Sequence, residues 1–256
     1  MFITGASSGI GAALARHYAA EGRPLGLAAR NPERLRLLAA ERPVATACYP
    51  LDVADASALA AAATDFIAHF GAPEIVVASA GVSAGTLTEM PEDLAAFRRI
   101  MDINVYGMAT TFAPFIKAMK ASAFAGRTSG RLVGIASVAG IRGLPGAEAY
   151  SASKAAAISY LESLRLELRE SGIRVVTIAP GYIATPMTAV NSYRMPFLVP
   201  ADAAARRFAR AIARGSSYAV IPWQMGLVAK LLRLLPNALY DRLFAKAPRK
   251  PRGLGV

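Results

Sequence analysis

The chain has 256 residues, of which 54% are hydrophobic and 18% are charged, proportions that exclude a disordered or fibrous protein. A chain of this length buries roughly 70 to 75% of its unfolded surface, so it needs no metal or disulfide to hold its core. Cys48 is the single cysteine, and no secretory signal or membrane-spanning run is predicted. We therefore expect a one-domain cytoplasmic protein.

The net charge of +12 is unevenly distributed. Residues 194–256 carry a net +10, whereas residues 1–193 carry +2. An anionic partner would therefore bind the C-terminal quarter, whether that partner is a nucleic acid, a membrane surface or a phosphorylated ligand. No nucleic-acid-binding motif or series of stacking aromatic residues accompanies the charge, so we do not expect nucleic acid as the partner.

Apolar runs rich in β-branched residues alternate with longer alanine-rich segments of helical periodicity. The predicted strands are residues 1–3, 24–29, 45–49, 75–79, 131–136, 173–178 and 218–221. The predicted helices are residues 10–21, 31–40, 55–70, 93–122, 148–170 and 201–213. This alternation predicts an α/β fold with a doubly wound parallel sheet, the Rossmann fold, over residues 1–221, followed by an extension over residues 222–256. Such sheets bind ligands at the carboxyl ends of their strands.

A glycine-rich turn follows the first strand and opens a helix near Ile10, with the sequence Thr4-Gly5-Ala6-Ser7-Ser8-Gly9-Ile10-Gly11. Its glycines let the backbone approach a pyrophosphate, which the N–H groups of the helix N-terminus attract. Only three residues precede the turn, as a trimmed chain or a misplaced start codon would explain.

Two other interpretations of this glycine-rich turn, as a hydrolase nucleophile elbow or a Walker-type phosphate loop, fail. Gly5-Ala6-Ser7-Ser8-Gly9 also fits the nucleophile elbow of serine hydrolases, but that site needs a histidine late in the chain, and the only histidines are His17 and His69. A phosphate loop of the Walker type requires a Gly-Lys-Ser/Thr sequence that is absent here.

Tyr150 and Lys154 lie four residues apart and therefore on one face of a helix. A unit charge about 4 Å from a phenol contributes roughly 4 kcal/mol at an effective dielectric constant near 20, which limits the lowering of the tyrosine pKa to about three units. Ser137 follows the strand 131–136, where its hydroxyl can hold a substrate oxygen. These residues predict proton exchange near neutral pH.

These residues occur together in an order and spacing that resemble the short-chain dehydrogenase/reductase family. The matching features are the glycine turn, Asp52, Asn104-Val105-Tyr106-Gly107, Ser137, Tyr150-x-x-x-Lys154 and Pro180-Gly181-x-x-x-Thr185. The resemblance covers residues 1 to about 190 and implies an NAD(P)-dependent enzyme that interconverts a carbonyl and an alcohol.

The resemblance also implies a role for each matching residue. Tyr150 would be the general acid/base, Lys154 would lower its pKa and hold the nicotinamide ribose, and Ser137 would orient the carbonyl or alcohol. Asn104 would support a water-linked proton path to Lys154. The implied cofactor contacts are Gly5, Ser7, Ser8, Gly9, Ile10, Gly11, Arg30, Asp52, Val53, Ala80, Gly81, Tyr150, Lys154, Pro180, Gly181, Ile183 and Thr185. No metal ligand is predicted.

The sequence departs from the family after the fourth strand, where Ala78-Ser79-Ala80-Gly81 replaces the usual Asn-Asn-Ala-Gly. The amides that usually brace the cofactor loop are therefore missing, although Ser79 can replace part of their hydrogen bonding. After the second strand, Arg30 stands where an acidic residue would bind the ribose of NAD. A guanidinium there favours NADPH, with NAD less favoured; a solvated arginine is the alternative.

The sequence thus predicts an NADP(H)-dependent oxidoreductase for a small-molecule carbonyl or alcohol. A catalytically silent dinucleotide-binding regulator is the alternative, against which Ser137, Tyr150 and Lys154 argue. The predicted substrate loop, residues 182–200, includes seven apolar side chains that favour an apolar substrate, unless they only pack the core: Tyr182, Ile183, Met187, Tyr193, Met195, Phe197 and Leu198.

Two further expectations concern the surface. The family commonly pairs subunits through the helices that correspond to 93–122 and 148–170, so we expect a homo-oligomer, either a dimer or a tetramer. Residues 222–256 join an apolar run to a basic cluster, which is typical of a helix lying at an anionic membrane interface. The alternatives are that the apolar run covers the substrate pocket or a partner subunit and that the basic tail is solvated.

Overall fold

The computed structural model describes residues 1–41, 43–126 and 129–253. Its centre is a parallel sheet of seven strands in the order β3-β2-β1-β4-β5-β6-β9. These strands are β1 Phe2–Thr4, β2 Leu25–Ala29, β3 Thr46–Pro50, β4 Ile75–Ala78, β5 Gly130–Ile135, β6 Ile173–Pro180 and β9 Tyr218–Ile221. The predicted doubly wound α/β fold is confirmed, and all seven predicted strands lie in the sheet.

Helices cover both faces of the sheet. They are α1 Gly9–Ala20, α2 Pro32–Ala40, α3 Ala56–Phe70, α4 Asp93–Met101, α5 Gly107–Phe124, α6 Glu148–Glu167, α7 Pro186–Ala189, α8 Ala201–Arg214, α9 Trp223–Leu234 and α10 Asn237–Phe244. Polar side chains begin two of these helices: Asn31 caps α2 through the backbone N–H of Arg34, and Asp55 caps α3 through two backbone N–H groups. A pair of two-residue strands, β7 Ile183–Ala184 and β8 Val199–Pro200, closes the ends of the predicted substrate loop.

The predicted helix 93–122 is wrong as one continuous element. A π-helical turn, Asp102–Tyr106, separates α4 from α5. Gly107 follows the turn, and a Cβ there would lie 2.6 Å from the side chain of Val53. Hydrophobic periodicity cannot show this break, because a single inserted residue leaves the apolar pattern on either side intact.

The core lies on both faces of the sheet. On one face Phe2 from β1 packs against Phe66 and Phe115, with ring centroids 5.6 and 4.7 Å away. Gly26 on the neighbouring strand makes room for this cluster, because a Cβ there would lie 2.6 Å from the rings of Phe2 and Phe66. This packing fixes the short first strand in the middle of the sheet and thereby places the glycine turn beside β4.

Candidate active site

A cleft of about 800 Å³ opens at the carboxyl ends of the strands, beside β1 and β4, where the strand order reverses direction. The structure brings all the predicted site residues except Asn104 into its lining. Ser79, which we expected to replace part of the missing amide hydrogen bonding, also lines the cleft. Arg34, Met187 and Thr188 line it as well. Residues from Gly5 to Thr188 thus contribute to a single site.

The glycine turn has the backbone shape that a pyrophosphate requires. Gly5 and Gly9 have positive φ angles of 67° and 55°. A Cβ at Gly5 would lie 2.7 Å from the backbone of Ala80, and one at Gly9 would lie 3.4 Å from the side chain of Thr185. Ser8 precedes α1 without capping it through its side chain, which leaves the N-terminal N–H groups available to an anion.

The end of the cleft beside β2 carries two arginines. Arg30 directly follows β2 and is exposed, and Arg34 lies in the first turn of α2. Neither guanidinium has an ion pair within the part of the chain that the structure describes. Arg34 was not predicted from the sequence; the signal for it is its place in the first turn of the helix that Asn31 caps, close to the end of the second strand. Both guanidiniums are therefore able to bind an anionic group at this end of the cleft.

Asp52 is held by two neighbours at the same end of the cleft. Its Oδ1 accepts a hydrogen bond of 2.9 Å from the N–H of Ala54, and its Oδ2 accepts one from Arg99. Burial opposes ionisation of this carboxyl, but the Ala54 N–H and the Arg99 guanidinium outweigh that effect and hold its pKa below the usual value. The sequence did not reveal Arg99, which lies 47 residues away.

Tyr150 and Ser137 meet inside the cleft. Ser137 follows β5, and its Oγ accepts a hydrogen bond of 3.1 Å from the N–H of Ala139. Its hydroxyl also bonds the Tyr150 hydroxyl, an interaction that lowers the phenol pKa. Burial is the larger effect, so the net pKa of Tyr150 is raised. A proton on this phenol is thus retained at neutral pH, as a general acid requires.

Lys154 lies one turn after Tyr150 on α6. Its Nζ donates a hydrogen bond of 2.8 Å to the carbonyl of Ile135 and lies 5.8 Å from the centroid of the Tyr150 ring. Burial lowers the pKa of Lys154 to about 8. Burial disfavours the charged forms of both groups, and at Tyr150 it outweighs any lowering of the pKa by this ammonium.

Asn104 lies in the π-helical turn and supports the cleft from behind. Its carboxamide accepts a hydrogen bond of 2.9 Å from the N–H of Val82 and donates to the Val82 carbonyl and to Ser153 Oγ, both at 3.0 Å. A Cβ at Gly81 would lie 3.3 Å from Asn104 Oδ1 and 3.6 Å from Lys154 Nζ. Asn104 therefore braces the cofactor loop in which Ala78-Ser79 lacks the usual amides.

Residues 182–200 lie on one side of the cleft, where the end of the chain contacts them at Met187. The ring centroids of Tyr182 and Tyr193 lie 6.4 Å apart. Burial raises the pKa of Tyr193, and the neighbouring Tyr182 and Tyr150 raise it further. Met187 lines the cleft, whereas Phe197 and Leu198 are 50% and 44% exposed. The predicted apolar segment is thus divided between the cleft and the surface.

The chain end crosses this side. Gly85 N–H donates to the carbonyl of Pro251 at 2.9 Å, and Lys250 Nζ donates to the carbonyl of Met187 at 3.2 Å. Arg252 forms ion pairs with Asp93 at 2.7 Å and Glu92 at 2.9 Å. The basic tail is therefore partly paired with acidic residues, and the expectation that it is merely solvated is wrong for Arg252.

Comparison with known proteins agrees with this geometry. The family model described as short chain dehydrogenase matches residues 1–195. An uncharacterized oxidoreductase of Myxococcus xanthus is 38% identical over 93% of both chains. A short chain dehydrogenase from Burkholderia cenocepacia, solved with NADP, superposes with a TM-score of 0.80 at 25% identity over 94% of this chain and 95% of its own. A 3-ketoacyl-(acyl-carrier-protein) reductase from Brucella melitensis, solved with NADH, superposes with a TM-score of 0.76 at 25% identity over 86% and 95%.

The chain belongs to the short chain dehydrogenase family. It is therefore a nucleotide-binding oxidoreductase with a Rossmann fold, as the sequence predicted. The two solved relatives bind different cofactors, so the family assignment covers NAD(P) without choosing between its two forms. Among the described residues, no helix combines the length and apolarity needed to cross a membrane.

Proposed function

We propose that the enzyme uses NADPH to interconvert a carbonyl and an alcohol on an apolar small molecule. The observation that carries the proposal is the grouping of Ser137, Tyr150 and Lys154 at one end of a cleft whose other end holds Arg30 and Arg34. The nicotinamide, when bound, supplies or accepts the hydride. The side chains of the cleft provide the proton and the orientation.

Tyr150 is the proposed proton donor in the reducing direction. Its raised pKa keeps the phenol protonated, and the Ser137 hydroxyl beside it can hold the same substrate oxygen. As the oxygen gains negative charge, the phenol transfers its proton to it, and the reverse transfer serves alcohol oxidation. Lys154, when protonated, stabilises the resulting phenolate. Because its Nζ is anchored on the carbonyl of Ile135, the ammonium stays next to the ring.

Arg30 and Arg34 support the preference for NADPH over NADH. An adenosine ribose with a 2′-phosphate would place two negative charges near two guanidiniums that form no ion pair in the described structure. A 2′-hydroxyl would leave them without this interaction. Asp52 is neutralised by Arg99 and so does not repel the phosphate. The carboxylate that would select NAD has no counterpart directly after β2.

The apolar side chains of residues 182–200 support an apolar substrate. The contacts of Lys250 and Arg252 support a role for the C-terminal extension in forming the wall of the substrate site. Lys250 and Arg252 connect the substrate loop with the first residues of α4. Replacement of Arg252 by Ala, which releases this connection, should change KM for large substrates more than for small ones. Equal KM values for wild type and variant across substrate sizes would contradict this role.

The test is a screen of ketones and aldehydes of increasing apolar size with NADPH, read as loss of nicotinamide absorbance. The proposal expects turnover of apolar carbonyls with NADPH and a loss of kcat in Ser137→Ala with cofactor binding retained. A catalytically silent regulator, the alternative from the sequence, would bind NADPH and show no turnover with any carbonyl. No observation in the structure favours that alternative.

A further inference from the structure

The C-terminal extension leaves an unusual amount of apolar surface exposed. Seven of the sixteen exposed large hydrophobic side chains in the described structure lie between residues 223 and 243. They are Trp223 (70% exposed), Leu227 (55%), Val228 (38%), Leu231 (57%), Leu234 (81%), Leu239 (46%) and Leu243 (61%). Concentrated apolar exposure of this kind marks an interaction surface rather than ordinary scatter.

The helices that carry these residues are fastened to the body of the protein by their opposite faces. Met225 packs on Gly181, where a Cβ would lie 2.6 Å from it, and Gly226 packs on Val220. Arg142 donates hydrogen bonds to the carbonyls of Leu232 and Leu235 at the end of α9. These contacts fix the orientation of α9, so its apolar face is held toward solvent.

Four of the five exposed apolar residues of α9 form one stripe. Trp223, Leu227, Leu231 and Leu234 recur at intervals of four, four and three residues, which places them on a single helical face. On α10, Leu239 and Leu243 are one turn apart. We call these six residues the apolar stripe.

Cations border the apolar stripe, and no carboxylate of α9 or α10 does. By helical spacing Lys230 and Arg233 lie along one side of the stripe on α9, and Arg242 adjoins its α10 part. Lys246 follows two residues after the end of α10. None of these four has an ion pair within the described part of the chain. Helix α9 contains no acidic residue, and Asp241 lies on the far side of α10 from Leu239 and Leu243.

We propose that the apolar stripe docks on an anionic lipid surface. Leucines and a tryptophan would enter the boundary between headgroups and acyl chains while the four cations bind lipid phosphates. A second copy of this chain is the less favourable occupant, because pairing two such faces brings together two sets of uncompensated cations. This inference does not depend on the proposed reaction. It places the rim of the cleft near the bilayer, because Met225 contacts Gly181, which lines the cleft.

The test is flotation of the full chain with vesicles of phosphatidylcholine alone or mixed with phosphatidylglycerol, at low and high salt. We expect binding to the mixed vesicles at low salt and weaker binding at high salt. Leu231→Ser should weaken binding about tenfold, because apolar area leaves the lipid. Leu37→Ser is the matched control, since Leu37 is 60% exposed on α2 against 57% for Leu231.

The contribution of charge is tested by a second pair of variants. Lys230→Gln with Arg233→Gln should weaken binding roughly 30-fold, the equivalent of about 1 kcal/mol for each charge. Arg206→Gln with Arg207→Gln removes two exposed charges from α8 and should leave binding unchanged. Thermal unfolding and cofactor affinity of each variant establish that the fold is retained.

Three results would overturn the proposal. The first is the absence of binding to mixed vesicles at low salt. The second is an equal loss of binding in Leu231→Ser and Leu37→Ser. The third combines two measurements: wild type does not bind vesicles, and light scattering gives a lower mass for free Leu231→Ser than for free wild type. That result would assign the stripe to an interface with a second copy of the chain.

Discussion

Replacement of Arg30 by Ala should convert the enzyme from a preference for NADPH toward equal use of both cofactors. A hydrogen bond to a charged group contributes about 1.5 to 3 kcal/mol. Arg30 is exposed, so solvent screening favours the lower limit, and we expect roughly tenfold weaker NADPH binding with NADH affinity almost unchanged. Arg34 remains in the single variant, and removal of both arginines should give roughly a hundredfold loss if the two effects add.

The assay is titration of nicotinamide fluorescence with each cofactor at two salt concentrations. Arg36→Ala is the control, because Arg36 lies on α2, as Arg34 does, and is exposed outside the cleft. It pairs with Glu33 at 3.7 Å. The loss for NADPH in Arg30→Ala should shrink at higher salt. Equal losses for NADPH and NADH, or no loss for either, would show that Arg30 points to solvent and would refute the cofactor argument.

Three further outcomes follow. Burial lowers the folded-state pKa of both Lys154 and Lys250 from 10.5 to about 8, so the unfolded chain binds more protons between those values. The free energy of unfolding of the cofactor-free protein should therefore rise with pH across that window, and Lys154→Met should lose about half of the rise. An undiminished rise in Lys154→Met would contradict this. Gly5→Ala should lower the unfolding temperature and the NADPH affinity more than Gly22→Ala. Both glycines have a positive φ, but only at Gly5 would a Cβ meet a backbone, that of Ala80 at 2.7 Å. Equal effects of the two substitutions would contradict the close approach of Gly5 to Ala80. Light scattering should show a dimer or tetramer, formed through α5 and α6, where Leu166 is 63% exposed, and a monomer at micromolar concentration would refute it.

Much of the fold was predictable because its signals are local. Apolar runs and helical periodicity located the seven strands, and parallel strands bring the residues after their carboxyl ends to one edge. That geometry places Ser137 and the glycine turn at one edge without any long-range information.

The remaining features depend on tertiary contacts. The net pKa of Tyr150 is set by burial, which the four-residue spacing to Lys154 does not reveal. The ion pairs of Arg99 with Asp52 and of Arg252 with Asp93 span 47 and 159 residues. The π-helical turn that presents Asn104 inserts into an otherwise regular helical pattern.

The most direct test of the central claim is the comparison of turnover with cofactor binding in Tyr150→Phe. The substitution removes the phenolic proton and almost no volume, and general acid–base participation is typically worth about 10² to 10⁴ in rate. We expect kcat for carbonyl reduction to fall within that range while the Kd for NADPH changes only slightly. A variant that binds NADPH and retains a tenth of the wild-type kcat would contradict the assignment of Tyr150 as the proton donor.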